Sequence, residues 1–162
     1  MSTVVKKLVE EDAEVVREVA TASWNFTYKG IYDYEYIEQW LRDHYSIGGI
    51  KKDIRRSLND EGLLFLGVFV DSLCVGFIEC KFSHGEADLL RLYLRPDKMG
   101  QGYGKALLLD AENFLVKHSI KKCILEVNRK NTRAISFYKN FGFRITGING
   151  DDYPMVKEYQ TC

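Results

Sequence analysis

A chain of 162 residues, 46% of them hydrophobic, has the length and apolar content for one domain with its own core, 1–162. Its 23 basic and 23 acidic residues cancel, which argues against a general affinity for nucleic acid or for an anionic membrane. No apolar run approaches a membrane span, MSTVVKKLVEEDAE lacks a signal-peptide core, and Cys74, Cys80, Cys123 and Cys162 show neither CxxC nor zinc spacing, so a cytoplasmic protein with free thiols and no metal is expected.

Taken in chain order, Val4–Val9 reads as a strand. Asp12 then reads as the N-cap of a helix with Val15, Val16, Val19, Ala20 and Ser23 on one face. Trp24 to Tyr45 is dense in aromatics, with a short helix around Ile37, Trp40 and Leu41. Ser46-Ile47-Gly48-Gly49 is expected to break it, and Lys51–Asn59 to form a polar helical turn. Leu63–Val70 and Leu73–Phe82 read as a hairpin turning at Asp71-Ser72. A second turn, Ser83 to Glu86, leads into the strand Ala87–Leu94, which Pro96 ends by removing a ladder donor. A helix follows with Leu107, Leu108, Ala111, Phe114, Leu115 and His118 at helical spacing, His118 being read as a packed structural histidine. Then come the strand Lys122–Val127, a polar turn, a short helix closed by Gly142, and strands Phe143–Ile148 and Tyr153–Tyr159. There is no internal repeat, linker or low-complexity segment.

Between strand and helix lies Met99-Gly100-Gln101-Gly102-Tyr103-Gly104-Lys105. Its glycines let the backbone turn tightly with N–H groups facing outward, and the helix start behind them attracts an anion. A P-loop is excluded, because Ala106 stands where the Mg²⁺-binding hydroxyl belongs. A dinucleotide loop fails as well, since Leu107 occupies the third glycine's place and only Glu126 is available for a ribose. The plainer reading, a mere strand-to-helix connection, stays beside that of a phosphate site. Further on, Asn131, Ala134 and Tyr138 share one helical face, where Tyr138 is either a packing residue or a functional phenol.

Together, Met99 to Gly104 and the run Asn131-Thr-Arg-Ala134-Ile-Ser-Phe137-Tyr138-Lys-Asn-Phe-Gly142-Phe143 resemble the GNAT superfamily, the Gcn5-related N-acetyltransferases. The family's first motif is Gln/Arg-x-x-Gly-x-Gly/Ala, and Met99 stands where Gln or Arg is usual, so Lys98 or Lys105 would replace any side-chain contribution there. The resemblance implies an α/β fold: a mixed, largely antiparallel sheet with helices on both faces and a central splayed parallel pair, Ala87–Leu94 and Lys122–Val127. It implies acetyl-CoA as co-substrate, held by the main chain of Leu92, Tyr93 and Leu94, by Met99, Gly100, Gln101, Gly102, Tyr103, Gly104 and Lys105, and by Asn131.

The implied reaction is acetyl transfer to a primary amine, with Tyr138 as the acid that protonates the leaving thiolate. The position of the Glu base of some polyamine acetyltransferases falls on Leu90, so the base is one of Glu79, Glu86 and Asp88, or a water chain. Thr27-Tyr28-Lys29-Gly30-Ile31 with Glu35-Tyr36-Ile37 resembles the helical insert of PaiA-like small-amine and polyamine acetyltransferases. This implies a small-molecule amine such as spermidine or spermine, bound by Tyr28, Asp33 and Glu35, with Asp151 a further carboxylate. A peptide N-terminus as acceptor, and a non-catalytic CoA-binding sensor, are the alternatives. A homodimer is compatible with all of them.

Overall fold

The computed structural model describes residues 2–160, so Cys162, grouped above with the free thiols, lies outside them. One 7-stranded sheet takes its strands in the order Thr3–Lys7, Leu63–Val70, Leu73–Ser83, Glu86–Leu94, Lys122–Asn128, Asp152–Glu158 and Arg144–Ile145. Its first half is antiparallel: β1 (Thr3–Lys7), β2 (Leu63–Val70), β3 (Leu73–Ser83) and β4 (Glu86–Leu94). Every residue of β2 is buried, which is why it reads as a continuous apolar run rather than an alternating one. Asp71 and Ser72 both adopt positive φ (48° and 72°), the hand of turn that matches the twist of the flanking strands.

Between β1 and β2 the chain forms α1 (Ala13–Tyr28), α2 (Tyr34–His44) and α3 (Ile47–Leu58), whose apolar stripes cover one face of the sheet around Phe65 and Phe77. The helices α4 (Tyr103–Lys117) and α5 (Thr132–Asn140) cover the other face around Leu64, Ile78 and Leu125. β5 (Lys122–Asn128) runs parallel to β4 for only Glu86↔Lys122, Ala87↔Cys123 and Asp88↔Ile124, and the two strands then separate. On its other side β5 pairs along its whole length with β7 (Asp152–Glu158). The α/β fold with a splayed parallel pair is therefore as the resemblance implied.

Several local expectations are corrected. A 3-10 turn, Glu10–Asp12, precedes α1, and the Asp12 carboxylate accepts from Val9 N (2.9 Å) instead of capping the helix. Gly48 and Gly49 do not break the chain: Ser46 Oγ accepts from Gly49 N (3.1 Å), and this cap starts α3 ahead of them. His118 is not packed in the core; it is exposed at the end of α4, stacked on Phe114 at 4.0 Å. The strand expected over 143–148 is only β6, Arg144–Ile145. Opposite the next residue, Thr146, stands Pro154, which accepts from Thr146 N but has no N–H to return, so the ladder stops there.

The register between β3 and β4 slips at Leu90, since Leu89 faces Cys80 while Arg91 faces Glu79. A one-residue slip moves all later side chains to the opposite face. Ala87, Leu89, Leu92 and Leu94 thereby all meet the α4/α5 layer, whereas Tyr93 packs in the α1–α3 layer. Arg91, stacked on Tyr45 between α2 and α3, lies on that same side.

Candidate active site

Pro96 opens a short 3-10 turn behind β4, and the chain then passes Gly100 (φ 74°) and Gly102 (φ 91°) into the first turn of α4. Both glycines hold a left-handed conformation that a Cβ would strain, and Gly102 has nothing within 4 Å of a Cβ position, so its backbone is approachable. The loop forms one end of a cavity of about 580 Å³. Leu92, Tyr93, Leu94, Met99, Gly100, Gly102, Gly104, Lys105 and Asn131, all singled out in the sequence, line it. Gln101 and Tyr103 do not. Gln101 Nε2 donates to Asp97 O (3.1 Å), and Tyr103 packs against the α4/α5 core.

The cations Lys130 and Arg133, which sequence reasoning missed, join Lys105 in the lining, and Arg133 reaches within 3.7 Å of a Cβ position at Gly100. Both belong to the turn and helix start of the second motif, so their basic character was the available signal. Beyond this basic end the wall is apolar, with Leu92, Leu94, Ala134 and Phe137. A ligand with a polyanionic head and a long thin arm fits this donor set.

Where β5 leaves β4, main-chain groups of β4 are freed. Arg95 N donates to Val75 O (2.8 Å). By the two-residue period of a strand, Tyr93 also bonds β3, while Leu92 and Leu94 turn their N–H and C=O into the gap. The expectation that all of Leu92, Tyr93 and Leu94 present free main chain is thus narrowed to Leu92 and Leu94.

A second cavity, about 410 Å³, opens on the α1/α2 side of the same gap. The two cavities share Leu92, Tyr93, Asn131, Ala134 and Tyr138, so they meet through the splay. Asn131 caps α5, its Oδ1 accepting from Ala134 N (3.2 Å), and its side chain also faces the Tyr28 hydroxyl. Tyr138 is 8% exposed, and burial drives its phenol far above the usual range, so it stays protonated.

Aromatic rings wall the second cavity: Trp24 lies 4.3 Å from Tyr28 and 4.9 Å from Trp40, and Tyr32 lies 4.5 Å from Tyr36. Of the expected acceptor-binding residues, Tyr28 lines this cavity, and Asp33 and Glu35 do not. The Asp33 carboxylate caps α2 by accepting from Tyr36 N (2.8 Å), and both residues belong to an outer depression with Glu38, Gln39 and Arg42. The carboxylates that do line the cavity are Glu126 on β5, Asp151 in the turn before β7, and Asp152 at its start. Burial, then Glu126 and Asp151, raises the carboxyl of Asp152 above the usual range. Alternation along β5, which buries Cys123, Leu125 and Val127, was the signal that turns Glu126 to this side.

The base candidates separate. Glu86 pairs with Lys122 (3.1 Å) at the closed end of the parallel pair, and Asp88, in the last pair before the strands separate, borders an outer depression with Lys81 and His84, so neither lines either cavity. Glu79 is buried behind Arg91, 3.3 Å from its Nε, and borders neither cavity. Leu90 itself lines the second cavity.

Comparison with known proteins follows the same outline. The model of the Acetyltransferase (GNAT) family matches residues 16–143. The spermidine N(1)-acetyltransferase of Thermoplasma acidophilum is 45% identical over 161 residues, 99% of this chain and 100% of that protein. The structure of the PaiA N-acetyltransferase of T. acidophilum in complex with coenzyme A matches at a TM-score of 0.96, 45% identical, covering 98% of this chain and 100% of that one. The peptidyl-lysine N-acetyltransferase YjaB of Salmonella typhimurium is 33% identical over 104 residues, 59% of this chain and 63% of that protein.

Proposed function

The chain belongs to the acetyltransferase (GNAT) family, and on that premise we propose that it moves the acetyl group of acetyl-CoA to a primary amine of a polyamine such as spermidine or spermine. The observation that carries this reading is the pair of cavities joined at Tyr138: one basic and glycine-bounded, the other aromatic and acidic. When bound, acetyl-CoA supplies an activated thioester carbonyl.

The amides around Gly100 and Gly102, with Lys105, Lys130 and Arg133, hold the phosphates. The gap-facing main chain of Leu92 and Leu94 pairs with the amides of the arm and offers an N–H to the charge that develops on the carbonyl oxygen. Tyr138 Oη gives its proton to the departing sulfur. Across the gap, the rings of Tyr28, Tyr32 and Trp40 and the carboxylates of Glu126, Asp151 and Asp152 receive the cationic acceptor. Among the described residues no helix is long and apolar enough to cross a membrane, and Cys74, Cys80 and Cys123 are free and buried. The free, buried thiols support a cytoplasmic site of action.

A thiol-release assay with acetyl-CoA and a panel of amines tests the reading. Spermidine and spermine are expected to outperform monoamines and short peptides with free α-amines. Preference for a peptide overturns the polyamine assignment, and no thiol release with any amine leaves a CoA-binding module.

A further inference from the structure

Arg91 is a cation in the wall of a cavity otherwise suited to cations. It is there because the slip at Leu90 turns it to the α1–α3 side. It is also held firmly: Nη2 donates to His44 O (3.1 Å), the guanidinium lies 4.3 Å over the Tyr45 ring, and Nε is 3.3 Å from Glu79 Oε1. Glu79 is 1% exposed and also faces Asp53 on α3. Arg91 immediately precedes Leu92, where the two cavities meet, while Glu126 stands on β5, Asp151 in the turn before β7, and Asp152 at its start. The acceptor cavity therefore has a positive pole on the strand that carries the reacting centre and a negative pole on the strands across from it.

We propose that Arg91 keeps the acceptor's reacting nitrogen uncharged and nucleophilic, while the carboxylates opposite hold the ammonium at the acceptor's other end. The inference rests on the proposed amine acetylation and deepens it. A primary ammonium resembling that of lysine titrates near pH 10, so at neutral pH on the order of one molecule in 10³ carries a free electron pair at a given end. A fixed guanidinium beside that nitrogen disfavours its protonated form, by the same physics that lowers a lysine beside another cation. One ammonium proton leaves to solvent, the nitrogen's lone pair forms the new C–N bond as the C–S bond breaks, the sulfur takes the proton of Tyr138, and the second proton lost by the nitrogen restores that phenol.

The charged and titratable groups around Arg91 are Glu79 on β3, His44 at the end of α2, Asp53 and Arg56 on α3, Tyr45 before α3, and Tyr93 on β4. Burial pushes Glu79 up to about 8 against the pull of Arg91, and Arg56 stands beside it as a second cation.

The test is the pH dependence of single-turnover acetylation at saturating spermidine, compared between wild type, Arg91→Gln and Arg91→Lys. Arg91→Gln is expected to move the acidic limb upward by one unit or more, a tenfold loss at pH 7, with Arg91→Lys restoring most of the shift. The displacement should persist in a Glu79→Gln background, which removes that carboxyl's own titration. A lower rate with an unmoved limb overturns the proposal and leaves Arg91 as a prop for Tyr45 and His44. If the wild type acetylates a peptide amine and not spermidine, the polyamine reading fails by itself. The same profiles run on that peptide then decide the role of Arg91 alone.

Discussion

Asn128 Nδ2 donates a 2.8 Å hydrogen bond to the hydroxyl of Tyr32, joining residues 96 positions apart. The same carboxamide accepts from Lys130 N (2.9 Å), so one buried Asn at the end of β5 fastens the aromatic insert to the turn before α5. The acceptor cavity is thereby built against the strand whose divergence opens it.

Replacing Tyr32 with Phe leaves the Asn128 donor without its partner. A loss of about 1–2 kcal/mol in urea unfolding is expected. The KM for spermidine should rise while the affinity for CoA, bound on the other side of the gap, stays constant. An unchanged unfolding midpoint would show that solvent satisfies the Asn as well as Tyr32 does.

Gly102 and Gly104 should behave differently, although they look equivalent in the sequence. Gly102 holds φ 91°, whereas a Cβ on Gly104 meets Leu94 and Phe137 at ordinary contact distances of 3.5 and 3.6 Å. Gly102→Val therefore strains the loop that faces the phosphates and should weaken CoA at least tenfold in a calorimetric titration, about 1.4 kcal/mol. Gly104→Ala should weaken it less than threefold. Equal losses would refute the distinction.

The glycine loop and the Asn131 to Gly142 run were legible because their information is local: turn residues, a cap and a helical spacing are all written within a dozen positions. The slip at Leu90 was not, because LLRLYL alternates no differently from an unbroken strand and its register is decided by β3. That slip is what sends Arg91 into the acceptor cavity. Asp33 and Glu35 lie close in sequence to Tyr28, which made them attractive. A carboxylate at a helix start is worth more as a cap, and α2 uses Asp33 that way. Glu126 and Asp152 meet only through the β5–β7 pairing, a contact between segments far apart in the chain.

Tyr138→Phe removes one oxygen from a side chain that is otherwise packed against Phe143 and Phe137. Turnover should fall by about 10² with CoA affinity nearly constant, since a positioned general acid contributes on the order of 10²–10⁴. Pre-steady-state measurement is needed so that chemistry, not release, is observed. Wild-type turnover in that regime would return Tyr138 to a packing role.

Glu79 makes stability depend on pH in a definite direction. Burial raises its carboxyl from the model-peptide value of 4.5 to about 8. A raised carboxyl contributes most below its unfolded value, and that contribution is lost as pH rises through the folded one, at about 1.4 kcal/mol per unit of difference. Wild type should therefore lose stability between pH 5 and 8 relative to Glu79→Gln, which carries no titrating group there. Parallel unfolding midpoints of the two proteins at pH 5, 7 and 9 would mean that Arg91 keeps Glu79 ionised throughout.

Acceptor selectivity offers the sharpest contrast between the two carboxylate sets. Glu126 and Asp152 face the aromatic rings of the second cavity, while Asp33 and Glu35 lie on the outer side of α2. A distal ammonium gains from the first pair only. Glu126→Gln is expected to raise the KM for spermidine several-fold and to leave that for a monoamine of similar length within twofold. Asp152→Asn should act in the same direction. Glu35→Gln should change neither, because its carboxylate is solvent-facing. Asp33→Asn should also spare selectivity, since an Asn side chain still caps a helix. Salt separates the mechanisms further, because partly exposed charge pairs are screened over about 8 Å at physiological ionic strength. The wild-type KM for spermidine should climb with added salt, and Glu126→Gln should flatten that climb. Selectivity lost on changing Asp33 or Glu35, with Glu126 and Asp152 silent, would place the acceptor's second charge on the outer face of α2 and refute the assignment of the acceptor cavity.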